Sequence, residues 1–98
     1  MAAYSEAAVR AGDAASAAQL ERLVERLEAS GPALGMPYAR LIDRSARIYE
    51  LRFGAHRVAY VEDRGRIVLL HAWRKRSQAL DARAVALARR RAAQLARG

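Results

Sequence analysis

The chain is 98 residues long, carries a formal charge of +8 and contains no cysteine. Its length suits one domain, because two separate cores would each be too small to hold. The missing cysteines exclude disulfides and thiolate metal sites. No apolar run approaches the roughly 20 residues of a membrane span, and the start of the chain lacks a basic-then-apolar leader pattern. A cytoplasmic protein is the simplest expectation.

Charge is unevenly spread. Residues 1–38 hold three basic groups against five acids, whereas residues 39–98 hold fifteen against five. A one-sided field of this kind favours a polyanionic partner such as nucleic acid. An arginine-rich composition is the plainer source of the charge, since Lys75 is the only lysine.

Residues 1–13 are alanine-rich without a clear period and read as a frayed or atypical start. From Asp13 or Ala14 to about Ser30, Leu20, Leu23, Val24 and Leu27 follow helical spacing. Asp13 suits the N-cap, and Ser30-Gly31-Pro32 stops the helix. A loop punctuated by glycine and proline runs to Pro37. Tyr38 to Ile42 then form a short strand before a turn at Arg44-Ser45-Ala46.

Residues 47–53 and 56–61 alternate with period two, and Gly54-Ala55 between them suits a type II′ hairpin turn. That register sets Phe53 against His56, Arg52 against Arg57, Glu50 against Ala59 and Tyr49 against Tyr60. A second turn at Asp63-Arg64-Gly65 leads into 66–73. Taken as a three-residue loop, it pairs Arg57 with His71, Val58 with Leu70 and Tyr60 with Val68.

Alternation then sorts the side chains by face. Tyr49, Leu51, Phe53, Val58, Tyr60, Val68 and Leu70 make a core face. The opposite face is apolar at one end through Ile48, Val61, Ile67 and Leu69. At its other end Arg52, Arg57 and His71 form one row, and Trp73 and Lys75 continue the parity. A last helix runs from about Asp81, its N-cap, to Ala96, with a weak stripe of Leu80, Ala84, Leu87, Ala88 and Leu95. The expected fold class is α+β: a small antiparallel sheet packed against an N-terminal helix region and a C-terminal helix.

Like charges directly opposite on a sheet destabilise it, so Arg52 facing Arg57 calls for an acid or a bound anion. Glu50, two residues along, can neutralise one guanidinium, but one carboxylate does not satisfy two well. With Lys75 and the flanking Arg74 and Arg76, the cluster suits a phosphodiester and the charge it gains in a transition state. His71 is the natural general acid or base. Surrounding cations favour its neutral form, which suits a base; a histidine hydrogen-bonded inside the sheet is the plain alternative. Trp73 is either a stacking platform for a base or the end of a core. Arg89 and Arg90, with Arg91 and Arg97, suit the C-terminal end of a helix dipole and offer supplementary phosphate contacts. Two histidines and scattered acids show no metal-ligand spacing, so neither metal nor cofactor is expected.

Several segments, in order, match a known pattern: Gly31-Pro32, Leu34-Gly35-Met36-Pro37, Tyr49-Glu50-Leu51-Arg52, and His56-Arg57-Val58 with Tyr60. Ile67-Val68-Leu69-Leu70-His71, Trp73-Arg74-Lys75-Arg76 and Ser77-Gln78 complete it. Over roughly residues 20–95 the chain resembles the HigB-like branch of the RelE/ParE toxin superfamily, the toxins of bacterial toxin–antitoxin systems. The resemblance implies one RelE-like domain over 1–98 that cleaves messenger RNA on the ribosome without metal. In such proteins the 2′-hydroxyl attacks the adjacent phosphate while basic residues hold it. By position, Arg57, Lys75, Arg76, Glu50 and Arg52 take the family's functional places. The chain departs from the pattern in its alanine-rich start, where relatives have a strand, and in Trp73, where they usually have phenylalanine.

The resulting expectation is a ribosome-dependent endoribonuclease toxin, cytoplasmic, with ribosome, messenger RNA and a small antitoxin of helix-turn-helix type as partners. No membrane or small-molecule cofactor is expected among its partners. A ParE-like inhibitor of DNA gyrase and a degenerate, non-catalytic binding module are the competing readings.

Overall fold

The structure, a computed structural model, describes residues 14–31, 39–75 and 80–97. Helix α1 (Ala14–Ser30) forms where the leucine spacing predicts it. Leu20, Leu23 and Leu27 fall on one side and are buried. Gly31 ends the helix with a φ of 102°, and its N–H donates to the Leu27 carbonyl at 2.8 Å. Only glycine takes that left-handed position without steric cost. The expected cap at Asp13, residues 1–13 and the loop over 32–38 lie outside the described residues.

Four strands follow: β1 (Ala39–Asp43), β2 (Ile48–Phe53), β3 (His56–Asp63) and β4 (Arg66–Arg74). They form one antiparallel sheet in the order β1-β2-β3-β4, so β1 and β4 are its outer strands among the described residues. Helix α2 (Ala82–Arg97) closes the order. Asp81 caps it as expected, its Oδ1 accepting the Ala84 N–H at 3.1 Å. Leu80 precedes this helix and is 42% exposed, so it drops out of the expected stripe, and Val85 is buried instead.

Each helix takes one face of the sheet. Leu20, Leu23 and Leu27 of α1 pack with Leu51, Phe53, Val58, Tyr60, Ile67 and Leu69. Ala88 of α2, with Ala92 and Leu95 beside it, packs with Ile48, Ala59, Val61 and Leu70. The small alanines let α2 approach the sheet closely despite its modest apolar content. No described helix is long and apolar enough to cross a membrane.

The β2–β3 register agrees with the sequence expectation at every pair from Tyr49↔Tyr60 to Phe53↔His56. The β3–β4 register does not. Arg64 and Gly65 have φ of 54° and 80°, and Asp63 pairs with Arg66. Two successive left-handed residues are the signature of a two-residue type I′ turn, which matches the right-handed twist of the strands. The loop is thus one residue shorter than expected, and every side chain just after it changes face. Ile67 and Leu69 join the α1 core, while Val68 and Leu70 join the α2 core.

A bulge then restores the parity. Tyr60 pairs with Leu69 but Ala59 pairs with His71, so Leu70 is the additional residue on β4. His71 and Trp73 therefore return to the expected face, one pair further along. Arg57 faces Trp73, and His71 faces Ala59.

Candidate functional site

The α2 face of the sheet divides into an apolar end under the helix and a charged end. At the charged end, cross-strand neighbours make two rows. One is Arg52, Arg57 and Trp73; the next is Arg40, Glu50, Ala59 and His71. The predicted row of Arg52, Arg57 and His71 is corrected accordingly. His71 stands one pair away, an offset of about 6.6 Å along the strand.

Glu50 is 2% exposed and lies among three guanidiniums. Arg40 Nε donates to its Oε1 at 2.8 Å, and Arg52 Nε approaches the same oxygen at 4.0 Å. Arg40, which the sequence reading passed over, thus takes the closest bond. Its signal was available only through the β1–β2 register, and the five-residue strand ARLID gives little alternation to fix it.

Arg57 is 7% exposed, and its Nη1 donates to the carbonyls of Gly54 at 2.9 Å and His56 at 2.8 Å. These bonds fix the guanidinium at the end of the β2–β3 hairpin but leave its charge to Glu50, further off. Burial, with the repulsion of Arg52, lowers the Arg57 pKa, and Glu50 opposes that shift. Guanidinium stays charged at any ordinary pH, so the lowered pKa reports a costly cation. Three arginines sharing one carboxylate leave an excess of positive charge that a bound phosphate would relieve.

His71 and Trp73 stack, with ring centroids 5.6 Å apart and 17° between planes. Trp73 is half-buried and also packs against the α2 core. Arg91 of α2 reaches the same place. Its Nη1 donates to the Leu70 carbonyl at 2.8 Å and lies 3.4 Å from His71 Nδ1. Burial first, and Arg91 second, lower the His71 pKa, while Asp81 acts weakly in the other direction. The spacing of Ala84, Ala88, Arg91 and Leu95 puts Arg91 on the packed side of the helix. That periodicity was the signal available for it.

The other predicted residues are scattered more widely. Lys75 is exposed, and its N–H donates to the Ala55 carbonyl at 2.7 Å, which carries the strand pairing past Arg57 and Trp73. Arg74 pairs with His56 and so belongs to the α1 face. His56 itself packs against Phe53, with ring centroids 5.4 Å apart. Arg89 bonds Asp43 through Nε, and Arg90 is exposed on α2. Arg76 lies outside the described residues. The site therefore gathers Arg40, Glu50, Arg52, Arg57, His71, Trp73 and Arg91, with Lys75 at its rim.

No curated protein and no solved structure matches the chain. A family profile described as phage derived protein Gp49-like (DUF891) matches residues 8–93. With most of its length inside that match, the chain belongs to the Gp49-like family, a RelE/ParE-like group of toxins from toxin–antitoxin systems.

Proposed function

We propose that this toxin is a HigB-like, ribosome-dependent messenger RNA endonuclease that works without metal and is held inactive by a small antitoxin, of helix-turn-helix type. One observation carries the reading: Arg52 and Arg57 face each other across β2 and β3 and, among the described residues, share Glu50 with Arg40 as their one nearby carboxylate. A sheet that places guanidiniums opposite one another needs an anion, and a phosphodiester has the matching geometry. In the proposed reaction the RNA 2′-oxygen attacks the adjacent phosphorus and the 5′-oxygen leaves. The 2′-hydroxyl proton passes to Glu50 or His71, and Lys75 or Arg76 neutralises the leaving oxygen. Arg52 and Arg57 stabilise the charge that builds on the phosphate, and Trp73 offers a base its stacking face. Arg74, Arg89 and Arg90 supply phosphate contacts outside the site, Arg89 sharing its charge with Asp43.

The test is to induce the chain in a bacterium, arrest growth and map 5′ ends on ribosome-bound messages. Codon-phased cuts are expected, falling by about 10²–10³-fold in Arg57→Ala. Because Arg57 is buried, the half-exposed Arg52→Ala serves as a second variant with the same expected direction. Arrest with intact messages and damaged DNA would replace this reading with gyrase inhibition. No arrest at all would leave a binding module.

A further inference from the structure

We infer that Arg91 is a positioning residue: it holds the neutral His71 ring as the Nε2–H tautomer, so that His71 meets RNA as a hydrogen-bond donor and not as a proton acceptor. The inference rests on the nuclease reading for its substrate, but its structural half stands on the fold alone.

Guanidinium only donates. Arg91 Nη1 lies 3.4 Å from His71 Nδ1, a contact that is favourable only if Nδ1 offers its lone pair. The proton of a neutral imidazole then resides on Nε2, since the bond made by one ring nitrogen selects the state of the other. Two features keep Arg91 in place. The same Nη1 donates to the Leu70 carbonyl at 2.8 Å, and Leu70 is the additional residue of the β4 bulge. Bulges turn the backbone and re-aim the following side chain, here His71. The ring is held on its other side by Trp73, stacked at 5.6 Å.

The charged groups facing the ring come from every neighbouring element. Arg91 approaches from α2, Asp81 from the residue that caps it, and Glu50 lies beyond Ala59 in the same row. Among the described charged residues Arg91 is the one in contact, and its charge disfavours a second proton on the ring. The proton-acceptor role for the 2′-hydroxyl then falls to Glu50, and His71 is left to hold a phosphate or base oxygen through Nε2–H.

Nitrogen-15 NMR of the imidazole in the full chain, without RNA, reads the tautomer directly. The Nε2–H form is expected to dominate above the His71 pKa in the unmodified protein. Arg91→Ala should mix the tautomers and raise the His71 pKa, and Arg91→Lys should restore both in part. A dominant Nδ1–H form in the unmodified chain would overturn the inference without any variant. So would a folded Arg91→Ala whose tautomer and pKa are unmoved. Cleavage supplies the second readout. Gln in His71→Gln keeps a donor, so it should cut RNA at least tenfold faster than His71→Ala, and lowering the pH only far enough to protonate His71 should not abolish cutting by the unmodified chain. Equal loss in both His71 variants would restore the base role. A chain that cuts no RNA would sink the nuclease reading and leave the NMR result standing.

Discussion

Asp43 is held by three donors at the end of β1: the Ala46 N–H at 2.9 Å, the Ser45 hydroxyl at 3.0 Å and Arg89 Nε. The Ala46 backbone bond first, then Arg89, pull its carboxyl down to about 2, and this one buried side chain ties the β1–β2 turn to α2. A depressed carboxyl stabilises the fold above its unfolded value near 3.8 and loses that contribution as pH falls towards about 2. The linkage is worth about 1–2 kcal/mol, discounted because Arg89 is largely in water. Asp43→Asn should therefore lower stability at pH 7 by roughly that much in denaturant melts and by much less at pH 2.5. An equal deficit at both pH values would show that the charge is not what Asp43 contributes. His71 acts in a separate window. Its lowered pKa favours the fold while the unfolded ring would be neutral, and that contribution fades as pH drops below about 6.5.

At the scale of elements, the β3–β4 hairpin decides where the site lies. Arg64 occupies a left-handed position, φ 54°, that costs a residue with a Cβ about 1 kcal/mol, and asparagine tolerates it better. Arg64→Asn is expected to raise the thermal midpoint by roughly 2–4 °C without altering the β3–β4 register. A lower midpoint would contradict the type I′ assignment. The same residue explains what the chain did and did not disclose. Gly54-Ala55 admits one tight turn, so the β2–β3 pairs could be read directly, and with them Arg52 opposite Arg57. Asp63-Arg64-Gly65 accommodates loops of two or three residues, and arginine gives no sign that it will turn left-handed. Nor does anything in RIVLLHAW mark Leu70 as the bulge, since Ile67 to Leu70 are all apolar and either face would bury them. The two one-residue differences cancel in parity, which is why His71 and Trp73 still reach the arginine face. They do not cancel in position, so Arg57 gained Trp73 as its neighbour and His71 gained Arg91. Contacts from a helix distant in sequence, such as Arg91 to Leu70 and Arg89 to Asp43, depend on how closely Ala88 seats α2 on the sheet, and a single strand's alternation carries no trace of that.

At the scale of the whole molecule, the two helices among the described residues give the two faces of the sheet opposite electrical character. Helix α1 carries Glu21, Glu25 and Glu28 with Arg22 and Arg26, and the exposed Glu28 reaches β4 to accept the Ile67 N–H at 2.8 Å. Helix α2 carries five arginines and no acid. Arg83, Arg90 and Arg97 recur every seven residues on its exposed side, about 10.5 Å apart along the axis, next to the face that holds Arg52 and Arg57. A nucleic acid approaching the site therefore meets attraction from the α2 side and little from the α1 side. Counterion release makes that asymmetry measurable, because each phosphate neutralised on a single strand contributes about −0.7 to the slope of log K against log salt. Arg83→Gln, Arg90→Gln and Arg97→Gln together should flatten the slope for a single-stranded RNA oligonucleotide by about 2. Arg22→Gln with Arg26→Gln on α1 should leave it unchanged. A slope that responds to both sets alike would mean that net charge alone draws the RNA, and the orientation that α2 imposes on the approach would have to be given up.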